Sequence, residues 1–434
     1  MAVIPLHQPK SADKPDHTEL AELLYQQERF LSHDGEFWRY TDQGIWERVP
    51  KETVQRDAQT LCRRMGQAAS ASLINGVVAM AHGVYYRDVD WDSTDRRAVA
   101  VRGGVLVYRE GAWQMSPYRP EDYRRICLPI DYDHGAECPR FTRFIRETFA
   151  GAEDANERIV ALVEMLGLSL TATTEFERGI LLVGSGANGK SVLLRLLADM
   201  LGPYASGVNP AEFENRFQRG SLDGKLVNIT TELPEGTVLP DGAIKAIISG
   251  EPCTVERKFQ DPFVLRPTVK IWIATNHLPS VRDFSPALYR RFTILRFPNV
   301  VPEEERDTSL SEKLREEIPG ILNVALRALG RVYNRGGLTM PPSSLGEIEN
   351  WRRDADQVLG FLEEEMIREV DARITSSEAY QLYLEWAREA GIQRTVNRKS
   401  FTTRVEGLGW AQAGKGSGGQ RMLFGIRQRL AGDL

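Results

Sequence analysis

A glycine-rich loop that ends in lysine and serine carries the clearest chemistry in this chain. It runs Gly184-Ser-Gly-Ala-Asn-Gly189-Lys190-Ser191, between an apolar stretch at 179–183 and a helical pattern at 192–198. In that setting, glycines let backbone N–H groups point at phosphate oxygens, and the helix N-terminus adds its positive dipole end. Lys190 would neutralise the β- and γ-phosphates of ATP, and Ser191 would ligate Mg²⁺. The residues predicted to contact the nucleotide are Gly184, Gly186, Ala187, Asn188, Gly189, Lys190, Ser191 and Val192.

Two polar residues follow later apolar runs that have the length of buried strands. Glu232 comes after the run that begins at 226, and Asn276 follows the run at 269–274. Ligands of open α/β sheets bind at the carboxyl ends of strands, so Glu232 could orient Mg²⁺ or polarise water, and Asn276 could hold the lytic water or the γ-phosphate. Each could instead be a surface residue of a turn. Weaker candidates for the same site are Thr275, His277 and Glu235.

Two adjacent arginines, Arg290 and Arg291, follow a short helical stretch and precede another apolar run. One of them could reach the ATP of a neighbouring subunit and stabilise charge in the transition state. The alternative is that both pair with surface acids. The sequence does not decide which of the two would act.

The segment 251–267 contains two short β-prone stretches around a basic and aromatic tip, Arg257-Lys258-Phe259. Basic side chains can grip phosphates and an aromatic ring can stack on a base, so the tip is a candidate DNA contact. A plain solvated hairpin explains the same pattern.

Composition limits the class of protein. With 434 residues, two or three domains are expected, and 42% hydrophobic with 26% charged residues is typical of a globular protein. No apolar run reaches membrane-spanning length and the N-terminus does not resemble a signal peptide, so we expect a cytoplasmic protein without a membrane partner. The four cysteines contain no Cys-x-x-Cys pair, which argues against a zinc ribbon and a disulfide framework.

Organisation along the chain predicts four segments. They are a disordered tail (1–17), a mixed N-terminal accessory domain (18–140), an α/β nucleotide-binding domain with a parallel sheet (141–335) and a C-terminal domain (345–434), with 336–344 as a linker. In the accessory domain, a hairpin at 36–47 interrupts helical patterns.

The C-terminal segment shows three helical patterns, at 358–370, 375–386 and 398–405, and then strand, loop and strand. That order is typical of a winged helix. Residues 345–387 carry eleven acids and four bases, whereas 388–429 carry nine bases and two acids. The reversal suggests a locally basic surface on a chain of net charge −5. DNA binding by Arg398, Lys399, Arg404 and Lys415 is one interpretation, and a protein-docking or ring-stabilising domain is the other.

Taken together, the motifs resemble those of superfamily 3 helicases, and more closely the phage and plasmid primase-helicases related to the poxvirus primase-helicases. The resemblance rests on the phosphate loop and on four later segments, and it covers about residues 95–300. Those segments are Thr231-Glu232 with Pro234-Glu-Gly236, Ile248-Ser-Gly-Glu-Pro252, Trp272-Ile-Ala-Thr-Asn-His-Leu-Pro279 and Ala287-Leu-Tyr-Arg-Arg-Phe292.

The resemblance implies an AAA+ core assembled as a homohexameric ring that moves 3′-to-5′ on single-stranded DNA. It assigns Glu232 to the Walker B position, Asn276 to the sensor, Arg291 or Arg290 to the arginine finger, and Arg257 and Lys258 to the DNA-contacting loop. The chain departs from the pattern by having Thr-Glu where paired acids are usual. The first 90 residues lack the acidic and histidine pattern of a polymerising primase, so a separate primase or polymerase would supply priming.

We therefore expect an ATP-dependent replicative DNA helicase of a phage, plasmid or integrated element, with ATP and Mg²⁺ as cofactors and single-stranded or forked DNA as substrate. The alternative is an AAA+ origin-binding initiator or DNA-remodelling ATPase that does not unwind. A third class is a DNA-tethering protein whose nucleotide site is only a switch.

Overall fold

The computed structural model describes residues 15–91, 94–258, 260–281, 286–392, 395–416, 419–430 and 432–433. Of the expected disordered tail, residues 1–14 lie outside the described residues. The first helix begins at His17, and its capping box is formed by Asp16 and Glu19. No helix of the described ranges combines the length and the apolar composition needed to cross a membrane.

The N-terminal unit packs three helices against a three-stranded antiparallel sheet, around buried residues such as Leu20, Val54 and Val77. The hairpin predicted at 36–47 is confirmed, and a further strand pairs with it through an Asp34-Gly35 turn in which both residues have positive φ. The turn dipeptide was a usable hairpin signal. The elements are α1 (His17–Leu24), β1 (Phe30–His33), β2 (Glu36–Tyr40), β3 (Trp46–Val49), α2 (Lys51–Arg64) and α3 (Ala71–Val84).

A second, four-stranded sheet follows and has the order β6-β5-β4-β7. Its residues Leu106 and Leu128 share one hydrophobic core with the nucleotide-binding domain, and Trp113 donates its indole N–H to the Leu326 carbonyl at 2.7 Å. The expected accessory domain, 18–140, is therefore two parts, of which the second packs on the α/β core. The strands are β4 (Val99–Arg102), β5 (Gly104–Arg109), β6 (Ala112–Ser116) and β7 (Leu128–Asp131).

The central domain is built on a five-stranded parallel sheet of order β16-β8-β14-β10-β9. All residues of β8 and β14 are buried, as expected for parallel strands covered by helices on both faces. The strands predicted from the apolar runs 179–183, 226–229, 269–274 and 292–297 are confirmed to within one residue at either end. The elements are α4 (Pro139–Thr148), α5 (Ala155–Ser169), β8 (Gly179–Val183), α6 (Lys190–Leu201), β9 (Ala205–Ser206), α7 (Arg216–Gly220), β10 (Val227–Thr230), β11 (Val238–Leu239), α8 (Asp241–Ser249), β12 (Cys253–Val255), β13 (Phe263–Leu265), β14 (Lys270–Thr275), β15 (Ser280–Val281), α9 (Pro286–Tyr289), β16 (Phe292–Arg296), α10 (Leu310–Glu316), α11 (Ile318–Arg335) and α12 (Pro342–Ala355).

The last of these helices, α12, was expected in the C-terminal domain but packs on the central sheet. Trp351 is 2% exposed, its ring contacts Tyr289 and Phe292, and its indole N–H donates to the Pro279 carbonyl at 2.7 Å. The segment before it is also anchored, because the fully buried carboxylate of Glu164 accepts the Thr339 N–H at 2.6 Å. The C-terminal unit therefore begins near residue 357 and not at 345.

The C-terminal unit combines three helices with a three-stranded antiparallel sheet of order β17-β19-β18. The helix predicted at 358–370 ends at Glu365, because Met366 and the residues after it pair with β19. Tertiary pairing overrides the local helical pattern there. The helix predicted at 375–386 is confirmed and begins with a capping box of Thr375 and Glu378. The elements are α13 (Gln357–Glu365), β17 (Met366–Thr375), α14 (Ser376–Glu389), α15 (Arg398–Gly407), β18 (Gln412–Lys415) and β19 (Arg421–Gln428).

Candidate active site

The glycine loop connects the buried strand β8 to α6, which begins at Lys190. Ala187 and Gly189 have left-handed φ values of 58° and 87°, a region that favours glycine. A Cβ on Gly189 would lie 2.8 Å from the Phe144 ring, and one on Gly184 would lie 2.7 Å from the Phe297 carbonyl oxygen. Close packing against α4 and the end of β16 therefore fixes the loop and excludes larger residues from these two glycine positions.

Lys190 is only 7% exposed, and its ammonium group is held inside the loop. Nζ donates to the carbonyl oxygens of Gly184 and Ser185 at 2.5 and 3.2 Å and to Oδ1 of Asn188 at 3.0 Å. Burial lowers the pKa of Lys190 from its ordinary value, because desolvation disfavours the charged form. The three acceptors oppose that effect, so the loop holds a cation in a partly dry environment.

Residues from two strand ends, those of β10 and β14, meet the loop in one cleft of about 310 Å³. Lys190 and Ser191 line it together with Glu232 and Asn276. They meet because β10 and β14 are adjacent parallel strands whose carboxyl ends share one edge of the sheet. Seven of the eight predicted nucleotide contacts line the cleft, Gly184 being the exception. The lining residues are Gly186, Ala187, Asn188, Gly189, Lys190, Ser191, Val192, Thr231, Glu232, Thr275 and Asn276.

The weaker candidates have different surroundings. Thr275 is 3% exposed, and its hydroxyl donates to the His277 carbonyl at 2.5 Å, so it shapes the turn that presents Asn276. His277 and Glu235 are both exposed and lie 4.0 Å apart, and neither lines the cleft. Thr231, which does line it, was noted in the sequence only as the neighbour of Glu232.

The two adjacent arginines differ sharply in their environment. Arg291 is 8% exposed, and its Nη2 lies 2.8 Å from both the Glu177 carboxylate and the Ser249 hydroxyl. Arg291 also donates to the Ala287 carbonyl at 2.6 Å. Arg290 is exposed. Of the two, only Arg290 presents its side chain to solvent.

The predicted basic hairpin is confirmed as an antiparallel pair, β12 with β13. The Arg257 guanidinium pairs with Asp223 and stacks 4.5 Å from the centre of the Phe263 ring, whereas Lys258 is exposed. Phe259 lies outside the described residues. Asp223 was not singled out in the sequence, because its pairing with Arg257 is visible only in the fold.

In the C-terminal unit, the acidic and basic halves of the sequence pair with each other. Arg404, a predicted DNA contact, donates through Nε to the fully buried carboxylate of Asp356 at 2.7 Å. Arg427 likewise pairs with Glu369 and Asp433. A bond to a buried acid explains Arg404 as an internal contact. Of the predicted DNA contacts in this unit, the exposed ones are Arg398, Lys399 and Lys415.

Three family profiles match the chain in consecutive segments. Residues 17–150 match a "D5 N terminal like" family, residues 182–291 match a family of unknown function (DUF5906), and residues 353–411 match a "Poxvirus D5 protein-like" family. The first and last segments therefore both match D5-type profiles, and the segment between them contains the glycine loop.

Among curated proteins, the chain is 24% identical over 393 residues to the helicase candidate L207/L206 of Acanthamoeba polyphaga mimivirus, covering 82% of this chain and 40% of that protein. It is 21% identical over 240 residues to the helicase candidate 022R of Frog virus 3 (isolate Goorha), covering 50% and 25%. The chain thus spans less than half the length of either viral relative.

Among solved structures, an apo form of the NrS-1 C-terminal region has a TM-score of 0.55 at 12% identity and covers 96% of this chain and all of that one. A second apo form, of NrS-1 residues 305–718, has a TM-score of 0.53 at 11% identity, with 95% of this chain covered. At such identities the likeness concerns the fold alone. The profiles at both ends of the chain and the viral relatives point to the same group. The D5-type profiles at both ends and the helicase-named viral relatives support a place for this chain among phage and viral primase-helicases.

Proposed function

We propose that this chain is an ATP-driven DNA helicase motor with an AAA+ core. The observation that carries the proposal is the convergence of the Lys190 loop, Glu232 and Asn276 in one cleft at the carboxyl edge of a parallel sheet. In that sheet β14, which ends beside Asn276, lies between β8 and β10. The sensor would therefore stand between the phosphate loop and the acid, where it can contact both the nucleotide and the attacking water.

The residues present fit ATP and Mg²⁺. Gly184 and Gly189 keep the loop open to phosphate oxygens at positions where a Cβ would collide, and Lys190 supplies a cation. Ser191 and Glu232 are the exposed oxygen donors that would hold Mg²⁺, which would neutralise phosphate charge when bound. Glu232 would accept a proton from the water, and Asn276 would orient that water. The cleft residues would thus bind the nucleotide, orient the attacking water and accept its proton.

Arg290 is the proposed arginine finger, acting on the cleft of the next subunit of a homohexameric ring. Its exposure makes it available to a neighbour, whereas the contacts of Arg291 keep that side chain within its own subunit. The hairpin with Lys258 and Arg257 would contact single-stranded DNA in the ring channel and move along it 3′-to-5′. The order α13-β17-α14-α15-β18-β19 supports a winged-helix module that adds Arg398, Lys399 and Lys415 as DNA contacts.

Hydrolysis is the first test. Lys190→Ala should reduce DNA-stimulated ATP hydrolysis to background, because the loop loses its only cation. Lys313→Ala, which removes a half-exposed lysine on α10 that pairs with Asp307, is the control and should hydrolyse ATP normally. Normal turnover in Lys190→Ala would refute the assignment of the site.

Strand displacement is the second test and separates the candidate functions. A duplex with a 3′ single-stranded tail should be unwound, and one with a 5′ tail should not. Hydrolysis without displacement of either substrate would favour an initiator or a DNA-remodelling ATPase. Particle images with an ATP analogue and single-stranded DNA should show a six-fold ring, and a monomer under those conditions would contradict the in-trans site.

A further inference from the structure

We propose that a second cleft, lined by residues of the segment 91–126 and of the central domain, binds single-stranded nucleic acid. It has a volume of about 120 Å³ and shares Asp223 with the basic hairpin. The proposal extends the DNA path of the hairpin and, to that extent, rests on the proposed function. The side chains that carry the argument are Trp91, Tyr123, Arg124, Arg125, Asp223 and Arg257.

The size and the lining of the cleft fit an extended strand. Its volume is well below the roughly 300 Å³ at which small-molecule pockets begin, so it is too small to enclose a free ligand of that class. Among the described residues, two aromatic side chains, four arginines and two acids, Asp95 and Asp223, line it. Aromatic rings that stack on bases, next to cations that follow the backbone, are how proteins hold single strands without reading their sequence.

Tyr123 has a strained backbone at the cleft. Its φ of 46° and ψ of 40° lie in the left-handed region, which is unfavourable for a bulky aromatic residue. The ring is half-buried and lies 6.0 Å from Trp91, edge to face, so it forms part of an aromatic surface. Such conformations concentrate at functional sites, where the surrounding structure enforces them. The left-handed backbone of Tyr123 directs its ring into the cleft wall, and an unstrained backbone would direct the ring elsewhere.

Asp223 bridges the cleft and the hairpin. Its carboxylate accepts from Arg125 at 3.0 and 3.1 Å and from Arg257 at 2.5 Å, and the Arg125 guanidinium stacks 5.0 Å from the Trp38 ring. An anion between two guanidinium groups is also the environment that binds a phosphate diester. Asp223 therefore occupies a position that a backbone phosphate could take, with Arg125 and Arg257 as its ligands.

Arg124 adds a buried donor to the same wall. Its side chain is 8% exposed, and its Nε lies 3.7 Å from the Asp122 carboxylate, beyond hydrogen-bonding distance. Among the described residues that Nε has no hydrogen-bond partner. The guanidinium is already engaged within the protein through an Nη1 bond to the Asp95 carbonyl at 3.3 Å, so Arg124 contributes positive charge to the cleft with Nε as an unsatisfied donor.

Binding of a fluorescein-labelled oligothymidylate, measured by anisotropy without nucleotide, tests the proposal. Asp223→Asn is nearly isosteric and removes the competing negative charge, so affinity should rise about threefold or more. Arg125→Gln should weaken binding and reduce the magnitude of the slope of log K against log salt by about 0.7, the value for one phosphate contact of a single strand. Unchanged or weaker binding by Asp223→Asn would overturn the proposal.

Tyr123→Asn separates a stacking role from a structural one. Asparagine tolerates the left-handed region, which offsets part of the packing lost with the ring, so the melting temperature should fall only slightly, while affinity should drop about tenfold through loss of one stacked base. Tyr123→Phe keeps the ring and should bind normally. Normal affinity in Tyr123→Asn, or an affinity loss that only accompanies a lower melting temperature, would contradict a stacking role.

The controls distinguish this cleft from the proposed helicase function. Asp199→Asn breaks an ion pair with Arg315 on another surface and should leave oligonucleotide affinity unchanged. Because binding is measured without ATP, failure of the hydrolysis or unwinding assays does not affect the outcome. If Lys258→Ala weakens binding while Tyr123→Asn and Asp223→Asn have no effect, the hairpin binds DNA and the cleft does not.

Discussion

The environments of Arg290 and Arg291 predict opposite phenotypes for two neighbouring substitutions. Arg290→Ala removes an exposed side chain, so the melting temperature should not change, but hydrolysis should fall on the order of 10³-fold if the residue acts on a neighbour's ATP. That factor corresponds to about 4 kcal/mol of lost transition-state stabilisation. Arg290 would then be a catalytic residue that contributes nothing to folding.

Arg291→Ala should instead destabilise the chain. The pair with half-exposed Glu177 contributes up to about 1 kcal/mol, and the bonds from a charged donor to Ser249 and the Ala287 carbonyl contribute about 1.5–3 kcal/mol. A loss of roughly 2–4 kcal/mol should appear as a lower melting temperature and a lower midpoint in urea. Hydrolysis by the protein that remains folded should be reduced much less than in Arg290→Ala.

Mixing variants tests whether Arg290 acts in trans. Lys190→Ala subunits lack a working loop but carry the finger, and Arg290→Ala subunits have the reverse defect. An active interface needs an Arg290→Ala subunit to supply the intact loop and a Lys190→Ala subunit to supply the intact finger. In randomly mixed equimolar rings each requirement is met with a probability of one half, so about one quarter of the interfaces should be active. ATP hydrolysis should therefore return to about that fraction of wild type. No recovery in rings shown to contain both variants would refute a finger at Arg290.

Three further predictions concern single residues. Gly189→Ala puts a Cβ 2.8 Å from Phe144 at a φ of 87°, so calorimetry should show at least tenfold weaker binding of an ATP analogue by a protein that still folds. Arg404→Gln leaves the buried Asp356 carboxylate without its positively charged partner. The C-terminal unit should therefore be destabilised by about 3–5 kcal/mol in urea unfolding. Burial lowers the pKa of Lys270 to about 7, so only the unfolded chain binds that proton between pH 7 and 10. Unfolding free energy should therefore rise with pH across that range by at most about 1.4 kcal/mol per unit, and Lys270→Met should lack the rise.

The central sheet and the polar residues at the carboxyl ends of its strands were predictable because both are recognised from short stretches of sequence. Buried parallel strands are short apolar runs, and the polar residues that follow them, Glu232 and Asn276, meet wherever such strands lie side by side. The glycine loop is similarly recognisable from eight consecutive residues, although contacts with Phe144 and Phe297 hold its final shape. For these features, position along the chain was sufficient to predict position in the fold.

Features that depend on distant partners were not predictable. The choice between Arg290 and Arg291 depends on Glu177 and Ser249, far away in the sequence, and the internal role of Arg404 depends on Asp356. The strand that begins at Met366 follows a charged helical stretch and forms only because β19 pairs with it. The proposed cleft was missed for the same reason, because Tyr123 and Asp223 are a hundred residues apart.

Trp351 has a consequence for communication around a ring. Its indole bonds the Pro279 carbonyl, just after the Asn276 turn, and its ring contacts Tyr289 and Phe292, which flank the two arginines. In the proposed assembly, Asn276 would respond to the subunit's own nucleotide and Arg290 would contact the nucleotide of the next subunit. One rigid side chain therefore joins the sensing half of one active site to the arginine of the adjacent site. A shift of the Asn276 turn on hydrolysis would displace Arg290. The nucleotide bound to one subunit would then affect the active site of its neighbour, and the subunits would hydrolyse ATP in sequence.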